Sequence, residues 1–135
     1  ITDLLTQAAR DFRVYSGDDM MTLGVLGVGG MGLVSVVSNL IPAEMGEMVR
    51  AALAGEWSTA RRINGKYFRL MQGIFKETSP GPVKAILAMM GRIGEHYRLP
   101  MVPVSGATRK HLERLADELG LLVHTPQVAS DQQVS

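Results

Sequence analysis

Cysteine is absent from the 135 residues of this sequence. Its absence excludes a disulfide framework, a thiolate zinc site and a cysteine nucleophile. A chain without thiols is unaffected by a reducing cytosol, so we expect a cytoplasmic protein. An excess of charge of one sign is lacking too, because 14 Lys and Arg stand against 13 Asp and Glu, a formal net charge of +1. This balance provides no extended positive field, and we expect no nucleic-acid binding.

Long apolar runs are missing as well. The longest, Met20–Leu26 and Leu33–Val37, are far shorter than the roughly 20 residues that a membrane-spanning helix needs. We therefore expect no membrane association. Ile1 is neither an initiator methionine nor part of a targeting leader, so the N-terminus has the character of a cut end. The chain has the length of one ordinary domain, and we expect it to be a piece of a larger protein.

The apolar pattern predicts two strand–turn–helix units in the first 55 residues, after a short helix over residues 1–9. Phe12–Ser16 alternates like a strand, and Leu33–Val37 is rich in β-branched residues, as buried strands of parallel sheets are. A helix follows each predicted strand, and the second one begins at Pro42 and ends at Gly55. Two strands joined through a helix predict a parallel pair.

From Glu56 onward the period is helical throughout. The spacing predicts one long helix with a buried face, a second over Val83–Ile93, and a last helix that Ser105 caps and Gly120 ends. The side chains expected on the buried face of the long helix are Trp57, Ile63, Tyr67 and Met71. The predicted order is thus helix, strand, helix, strand and four helices.

The string Gly27–Gly32 satisfies G-x-G-x-x-G, the pattern of a dinucleotide site. A pyrophosphate needs these glycines after a strand and at the start of a helix, whereas here a helix precedes them and a strand follows. We therefore expect no dinucleotide and no other cofactor. The three histidines, His96, His111 and His124, lack ligand spacing to one another or to a carboxylate, so no metal site is expected.

Asp18 and Asp19 follow the first predicted strand and a glycine. They could form a pair of carboxylates for acid–base chemistry, but consecutive acids after a glycine more often cap a helix. Among the four lysines only Lys84 lies within an apolar stretch. Its place in the first turn of a helix favours a surface lysine with a buried stem over a Schiff-base amine.

Five strings in a fixed order carry a resemblance to a known family: Tyr15–Asp19, Gly29–Asn39, Pro42–Met45, Pro82–Lys84 and Arg98–Pro103. Together they resemble the C-terminal part of the dihydrodipicolinate synthase family, which belongs with N-acetylneuraminate lyase to the pyruvate-dependent class I aldolases. The resemblance extends in register from Ile1 to about Leu122. Any one string would be weak, but five in order and at the right spacing are specific.

The resemblance implies an α/β fold, the C-terminal part of a (β/α)₈ TIM barrel. The last two parallel strands would lie in residues 1–55, a mainly helical region in residues 56–122 and a flexible tail in residues 123–135. It further implies that Gly17 and the backbone carbonyl of Val34 bind substrate in a pyruvate pocket, and that Asn39 shapes the last loop. For Gly17 a plain tight turn is the alternative.

By the same resemblance, the family condenses pyruvate with aspartate semialdehyde through a lysine Schiff base in lysine biosynthesis, and a homo-oligomer is expected. The Schiff-base lysine and the catalytic tyrosine would precede Ile1, so the chain holds no catalytic residue and should be inactive by itself. Two alternatives stay open. One is a non-catalytic module for self-association or regulation that descends from this family, and the other is a different pyruvate-dependent aldolase.

Overall fold

The computed structural model describes residues 1–9 and 11–122, so the tail predicted over residues 123–135 lies outside the described part. The order of elements predicted from the sequence is confirmed. In chain order the elements are α1 (Thr2–Gln7), β1 (Tyr15–Ser16), α2 (Thr22–Gly27), β2 (Gly32–Leu33), a 3-10 turn (Val37–Asn39), α3 (Pro42–Leu53), α4 (Trp57–Gly73), α5 (Gly81–Met89) and α6 (Gly106–Glu118).

The two strands pair in parallel, as predicted, with Ser16 opposite Leu33. Both are shorter than predicted, two residues each. The prediction of a strand through Val37 is wrong, because Val37 begins the 3-10 turn. The physical reason is that the amides of Val36 and Val37 donate hydrogen bonds to the carboxyl group of Asp19, at 3.1 and 3.0 Å. These amides are therefore not available to a strand ladder.

The core lies among the helices that follow the strands. One continuous cluster of buried apolar side chains extends from α2 through α3, α4 and α5 to α6. Ile63, Tyr67 and Met71 of α4 are buried, as the helical spacing predicts, whereas Trp57 is half-buried and packs against the edge of the cluster. None of the helices in the described residues is long and apolar enough to cross a membrane.

Helix α5 ends earlier than predicted, at Met89, and Ile93 is exposed beyond it. Gly91 has a φ of 69°, and the amides of Gly91 and Arg92 donate to the carbonyls of Ala88 and Leu87, both at 2.9 Å. This pair of bonds is a Schellman motif, which closes a helix and is favoured by glycine. The predicted helix ends at Gly55 and Gly120 have positive φ and are confirmed.

The N-terminus of α6 is held by side chains from two segments. The Ser105 hydroxyl accepts a hydrogen bond from the Thr108 amide, which confirms the predicted cap. Glu77, on the loop after α4, in turn accepts from the amide and the hydroxyl of Ser105. Hydrogen bonds from Ser105 and Thr108 lower the pKa of Glu77.

Candidate functional site

The carboxyl ends of two parallel strands lie at one edge of their sheet, where α/β proteins place their ligands. Gly17 follows Ser16 directly and Val34 follows Leu33, and Ser16 and Leu33 are register partners. The Val34 amide donates to the Ser16 carbonyl at 2.8 Å. The structure thus brings the two residues expected to bind substrate together at this edge, which we call the carboxyl edge.

The Val34 carbonyl oxygen accepts no hydrogen bond from residues 1–9 or 11–122. The residue itself is 71% exposed. A backbone carbonyl without an internal partner is a strong acceptor that is open to a ligand or to another segment of chain.

Neither the backbone conformation nor the packing of the described chain requires a glycine at position 17. Its φ is not in the left-handed region, and a Cβ built on it meets no atom within 4 Å. Neither a positive φ nor a close contact, the usual reasons for a glycine in a turn, applies to Gly17 in the described chain. The position that a side chain at residue 17 would occupy is therefore open space at the carboxyl edge.

Asp18 organises the turn that follows Gly17. Its Oδ1 accepts from the amides of Met20 and Met21 at 2.8 and 3.3 Å, and its carbonyl accepts from the Thr22 hydroxyl at 2.8 Å. Helix α2 begins one residue after Met21 and has no side-chain cap of its own. Asp18 thus caps the turn that leads into α2, as expected for an acid at this position.

Asp19 has a different role from its neighbour. Its carboxyl group is 1% exposed and accepts a hydrogen bond from the Ser35 hydroxyl through Oδ1 and two from the amides of Val36 and Val37 through Oδ2. The two acids are therefore neither a catalytic pair nor a joint helix cap. Asp19 ties the segment after β1 to the segment after β2 and fixes the chain that follows the Val34 carbonyl.

The segment after β2 is also held by its own side chains. The Ser38 amide donates to Ser35 Oγ at 2.8 Å, and Asn39 Nδ2 donates to the Val36 carbonyl at 2.9 Å. The second bond agrees with the shaping role that the resemblance gives to Asn39. The hydrogen bond between Ser35 and Asp19 was not predicted from the sequence. The available signal was a single serine within a run of aliphatic residues.

Three glycines of the G-x-G-x-x-G string are explained by backbone conformation or packing, Gly29 through a φ of 106° and Gly30 and Gly32 through close contacts. A Cβ on Gly30 would lie 2.5 Å from Val25 Cγ1, and one on Gly32 would lie 2.8 Å from Tyr15 Cδ1. The string connects the end of α2 to β2, the order that the sequence predicted. No helix N-terminus follows these glycines, so the geometry that binds a pyrophosphate is not formed there.

The half-buried Lys84 is engaged by structural contacts, as expected for a lysine with a buried stem. Its Nζ donates to the His96 carbonyl and lies 4.8 Å from the centre of the Tyr97 ring. Burial and the Glu95 carboxyl group raise the pKa of Tyr97 to about 12. No group of three or more potential metal ligands occurs within the described ranges, and His124 lies outside them.

Comparison with known proteins agrees with this architecture. A model of the dihydrodipicolinate synthetase family matches residues 1–119. The chain belongs to this family. It is 68% identical over 126 residues to a 4-hydroxy-tetrahydrodipicolinate synthase of Acidobacterium capsulatum, covering 93% of this chain and 42% of that protein.

Solved structures give the same family. A dihydrodipicolinate synthase from Aquifex aeolicus matches with a TM-score of 0.88 at 32% identity, over 92% of this chain and 42% of that one. A chloride-inhibited dihydrodipicolinate synthase from Acinetobacter baumannii, complexed with pyruvate, matches with a TM-score of 0.85 at 31% identity, over 90% and 42%. The neighbours support an α/β fold of the TIM-barrel class. The chain spans about two fifths of the length of these relatives.

Proposed function

We propose that this chain is the C-terminal part of a cytoplasmic 4-hydroxy-tetrahydrodipicolinate synthase, a lyase that condenses pyruvate with aspartate semialdehyde. The observation that carries the proposal is the carboxyl edge, where the Val34 carbonyl, which has no hydrogen-bond partner among the described residues, and the open space at Gly17 follow paired strand residues. Membership in the family and the relative that was complexed with pyruvate support the choice of substrate.

Gly17 and Val34 line the pyruvate pocket in this proposal. Gly17 leaves room for a small oxoacid, because any side chain there would occupy the open space at the edge. The Val34 carbonyl supplies a directed acceptor, and the hydrogen bonds to Asp19 keep the chain beyond it from moving. Both groups belong to the backbone, so they position substrate and take no part in proton transfer.

The covalent chemistry belongs to residues before Ile1. A lysine amine there condenses with the ketone of pyruvate and releases water. The imine then loses a proton from its methyl carbon to give an enamine, and this carbon attacks the aldehyde carbon of the second substrate while the aldehyde oxygen takes up a proton. The chain itself contributes one wall of the pocket. In this proposal residues 1–55 form the last two strand–helix units of the barrel and residues 56–122 form the helical region.

Exposed apolar surface on the strand pair supports the proposal that further strands of a barrel cover it in the complete polypeptide. Phe12 is 55% exposed and Tyr15 is 50% exposed, and both lie on or beside β1. Parallel sheets are covered on both faces, and their edges are paired in stable folds. Strands from the rest of the barrel would provide this cover, with other copies of the enzyme packed around it in a homo-oligomer.

Borohydride trapping tests the proposal on the complete polypeptide, which we take to be this chain with the residues that precede it. Incubation with pyruvate and borohydride should add one pyruvate-derived group, and peptide mapping should place it before Ile1. The 135-residue chain alone should not be labelled. An adduct on Lys66, Lys76, Lys84 or Lys110 would contradict the proposal.

A second measurement separates the synthase from its alternatives. The complete polypeptide should consume pyruvate only when aspartate semialdehyde is present. Trapping by pyruvate together with turnover of a different aldehyde would indicate another aldolase of the same class. A natural product with the mass of 14.6 kDa and no trapping at all would indicate the non-catalytic association or regulatory module.

A further inference from the structure

A cleft of about 480 Å³ lies between α4 and α6, on the helical region and away from the residues of the carboxyl edge. Arg69 lines it from α4, Lys76 from the loop after α4, and His111, Arg114 and Glu118 line it from α6. A volume of this size matches the pockets that hold small molecules. Neither the proposed synthase chemistry nor the core packing uses these charged side chains.

The cleft concentrates positive charge. Arg69, Lys76 and Arg114 oppose the single carboxylate of Glu118, while the whole chain has a net charge of only +1. Within residues 1–9 and 11–122, two ion pairs occur, Arg62 with Glu47 and Arg109 with Glu95. None of the three cleft cations forms an ion pair with a described residue, and Glu118 offsets only one of the three positive charges, an arrangement that an anion would stabilise.

Close packing of the two helices creates this concentration. Gly73 lies in the wall of the cleft, and a Cβ on it would come within 2.6 Å of Leu115 Cδ1. Leu115 and Gly73 are both buried at this crossing. The absence of a side chain at Gly73 lets α6 approach α4, which brings the basic residues of the two helices to the same opening.

The pKa of His111 reflects the positive charge around the cleft. Desolvation, together with the positive charges of Lys76, Arg114 and Arg69, lowers its pKa, and Glu118 opposes that shift only in part. A group that is half-buried among three cations loses its proton more easily. The imidazole can nevertheless donate a hydrogen bond from one ring nitrogen in its neutral form and from both when protonated.

We propose that the cleft between α4 and α6 binds a small molecule that carries a phosphate group. Guanidinium groups bind the oxygens of such an anion in pairs, and a lysine adds a point charge. Arg69 and Arg114 provide the two guanidinium groups, and Lys76 provides the ammonium group. The cleft is larger than a phosphate alone requires, so the rest of the ligand lies along Gln72 and Leu115.

Binding of a dianion should be coupled to protonation of His111. The negative charge offsets Arg69, Lys76 and Arg114 and favours the imidazolium form, so the bound state has the higher pKa at His111. Affinity should therefore rise as the pH falls toward that pKa, and binding at a pH between the pKa values of the free and bound states should take up protons. Sulfate keeps its double charge over this range and is the simplest probe.

Calorimetric titration of the complete polypeptide with sulfate and with pyrophosphate tests the site. Titrations in two buffers of different ionisation enthalpy measure the proton uptake, with sodium chloride at equal ionic strength as the reference. We expect saturable binding of both probes, and H111Q should abolish the uptake. The double variant K76Q/R114Q should weaken binding at least about tenfold, because hydrogen bonds to charged groups contribute about this much or more.

Two further variants give the site its controls. Arg61→Gln removes an exposed cation of α4 about 12 Å along the helix from Arg69 and should leave the affinity unchanged. Glu118→Gln removes the opposing carboxylate and should strengthen binding. Equal weakening by R61Q and K76Q/R114Q, or no saturation beyond that of chloride, would overturn the proposal. Because the readout is binding, the result does not depend on synthase activity.

Discussion

Gly17 is a glycine whose conformation and contacts in the described chain do not require it, and we propose that the pyruvate pocket does. Most glycines in a fold are explained by a positive φ or by a neighbour that a Cβ would touch. Gly91 and Gly30 are such cases, through a φ of 69° and a contact at 2.5 Å. Gly17 has neither property, so its own fold tolerates a side chain there.

Gly17→Ala should separate stability from substrate binding. In the 135-residue chain it should change the free energy of unfolding by no more than about 0.5 kcal/mol, since the added methyl meets no atom. In the complete polypeptide it should raise the KM for pyruvate at least about tenfold, the usual effect of one misplaced methylene in a pocket.

Gly65→Ala is the matched control for this test. Gly65 is an exposed residue of α4, and a Cβ there also meets no atom. The substitution should leave the KM unchanged while stabilising the helix by up to about 1 kcal/mol. An unchanged KM for G17A would show that Gly17 does not line the pocket.

Asp18 and Asp19 provide a matched pair for a second prediction. Asp18 uses one oxygen for both of its bonds, which an asparagine carbonyl can replace, so D18N should cost less than about 0.5 kcal/mol. Asp19 uses both oxygens while buried, and D19N replaces one of them with an NH₂ group, which cannot accept the bond that Oδ1 receives from Ser35. We expect D19N to cost about 1–3 kcal/mol.

Chemical denaturation of the two variants, monitored by circular dichroism, measures this difference. A second readout keeps the test informative if D19N fails to fold in the short chain. In the complete polypeptide, D19N should raise the KM for pyruvate more than D18N does, because the segment after Val34 loses its anchor. Equal costs for the two variants would refute the role of Asp19.

The N-terminus of α6 is the element whose stability should depend most directly on pH. Glu77 reaches it from the loop after α4 and has a lowered pKa because Ser105 and Thr108 donate hydrogen bonds to it. A carboxyl group with a lowered folded-state pKa stabilises the fold above its ordinary pKa. That stabilisation is lost as the pH falls through the lowered value.

Glu77→Gln should therefore flatten the acid limb of the stability curve. Measured between about pH 3 and 5, a range that includes the ordinary pKa of a glutamate, the midpoint of thermal unfolding should fall less steeply with decreasing pH in E77Q than in the wild type. Glu113→Gln, an exposed carboxyl group on α6, is the control for the loss of charge alone. Parallel curves for E77Q and wild type would contradict this prediction.

The helices could be predicted from the sequence because their signals are local. Pro42 at a first turn, Gly55 at an end and the spacing from Ile63 to Met71 each act within a few residues. The length of the second strand was overestimated because β-branched residues favour a strand wherever they occur. Its end depends on the hydrogen bond that the Val37 amide donates to Asp19, 18 residues earlier in the chain, which no local pattern shows.

The candidate site, too, was only partly predictable from the sequence. Gly17 and Val34 could be named from the resemblance, and the parallel register brings them together. The part played by Asp19 could not be predicted, because an acid after a glycine fits a helix cap equally well. The basic cleft was missed for a similar reason, since its residues come from two helices whose crossing at Gly73 depends on tertiary packing.

The isolated 135-residue chain should associate with itself at micromolar concentration. Phe12, Tyr15 and Val34 are at least half exposed around a strand pair whose edges are open. Each such side chain left in water forfeits about 1.5–3 kcal/mol. Several together rival the roughly 5–15 kcal/mol that stabilises a domain. Sedimentation should therefore show species larger than 14.6 kDa, with a distribution that shifts with concentration.

Substitutions locate the associating surface. The double variant F12E/V34E places charge on the strand pair and should shift the distribution toward the monomer, because a charge at an open strand edge opposes pairing. L99E is the matched control, since Leu99 is 89% exposed on the loop between α5 and α6 and lies away from the strands. It should leave the distribution unchanged. A folded wild-type monomer that does not associate at micromolar concentration would mean that the strand pair is stable without cover.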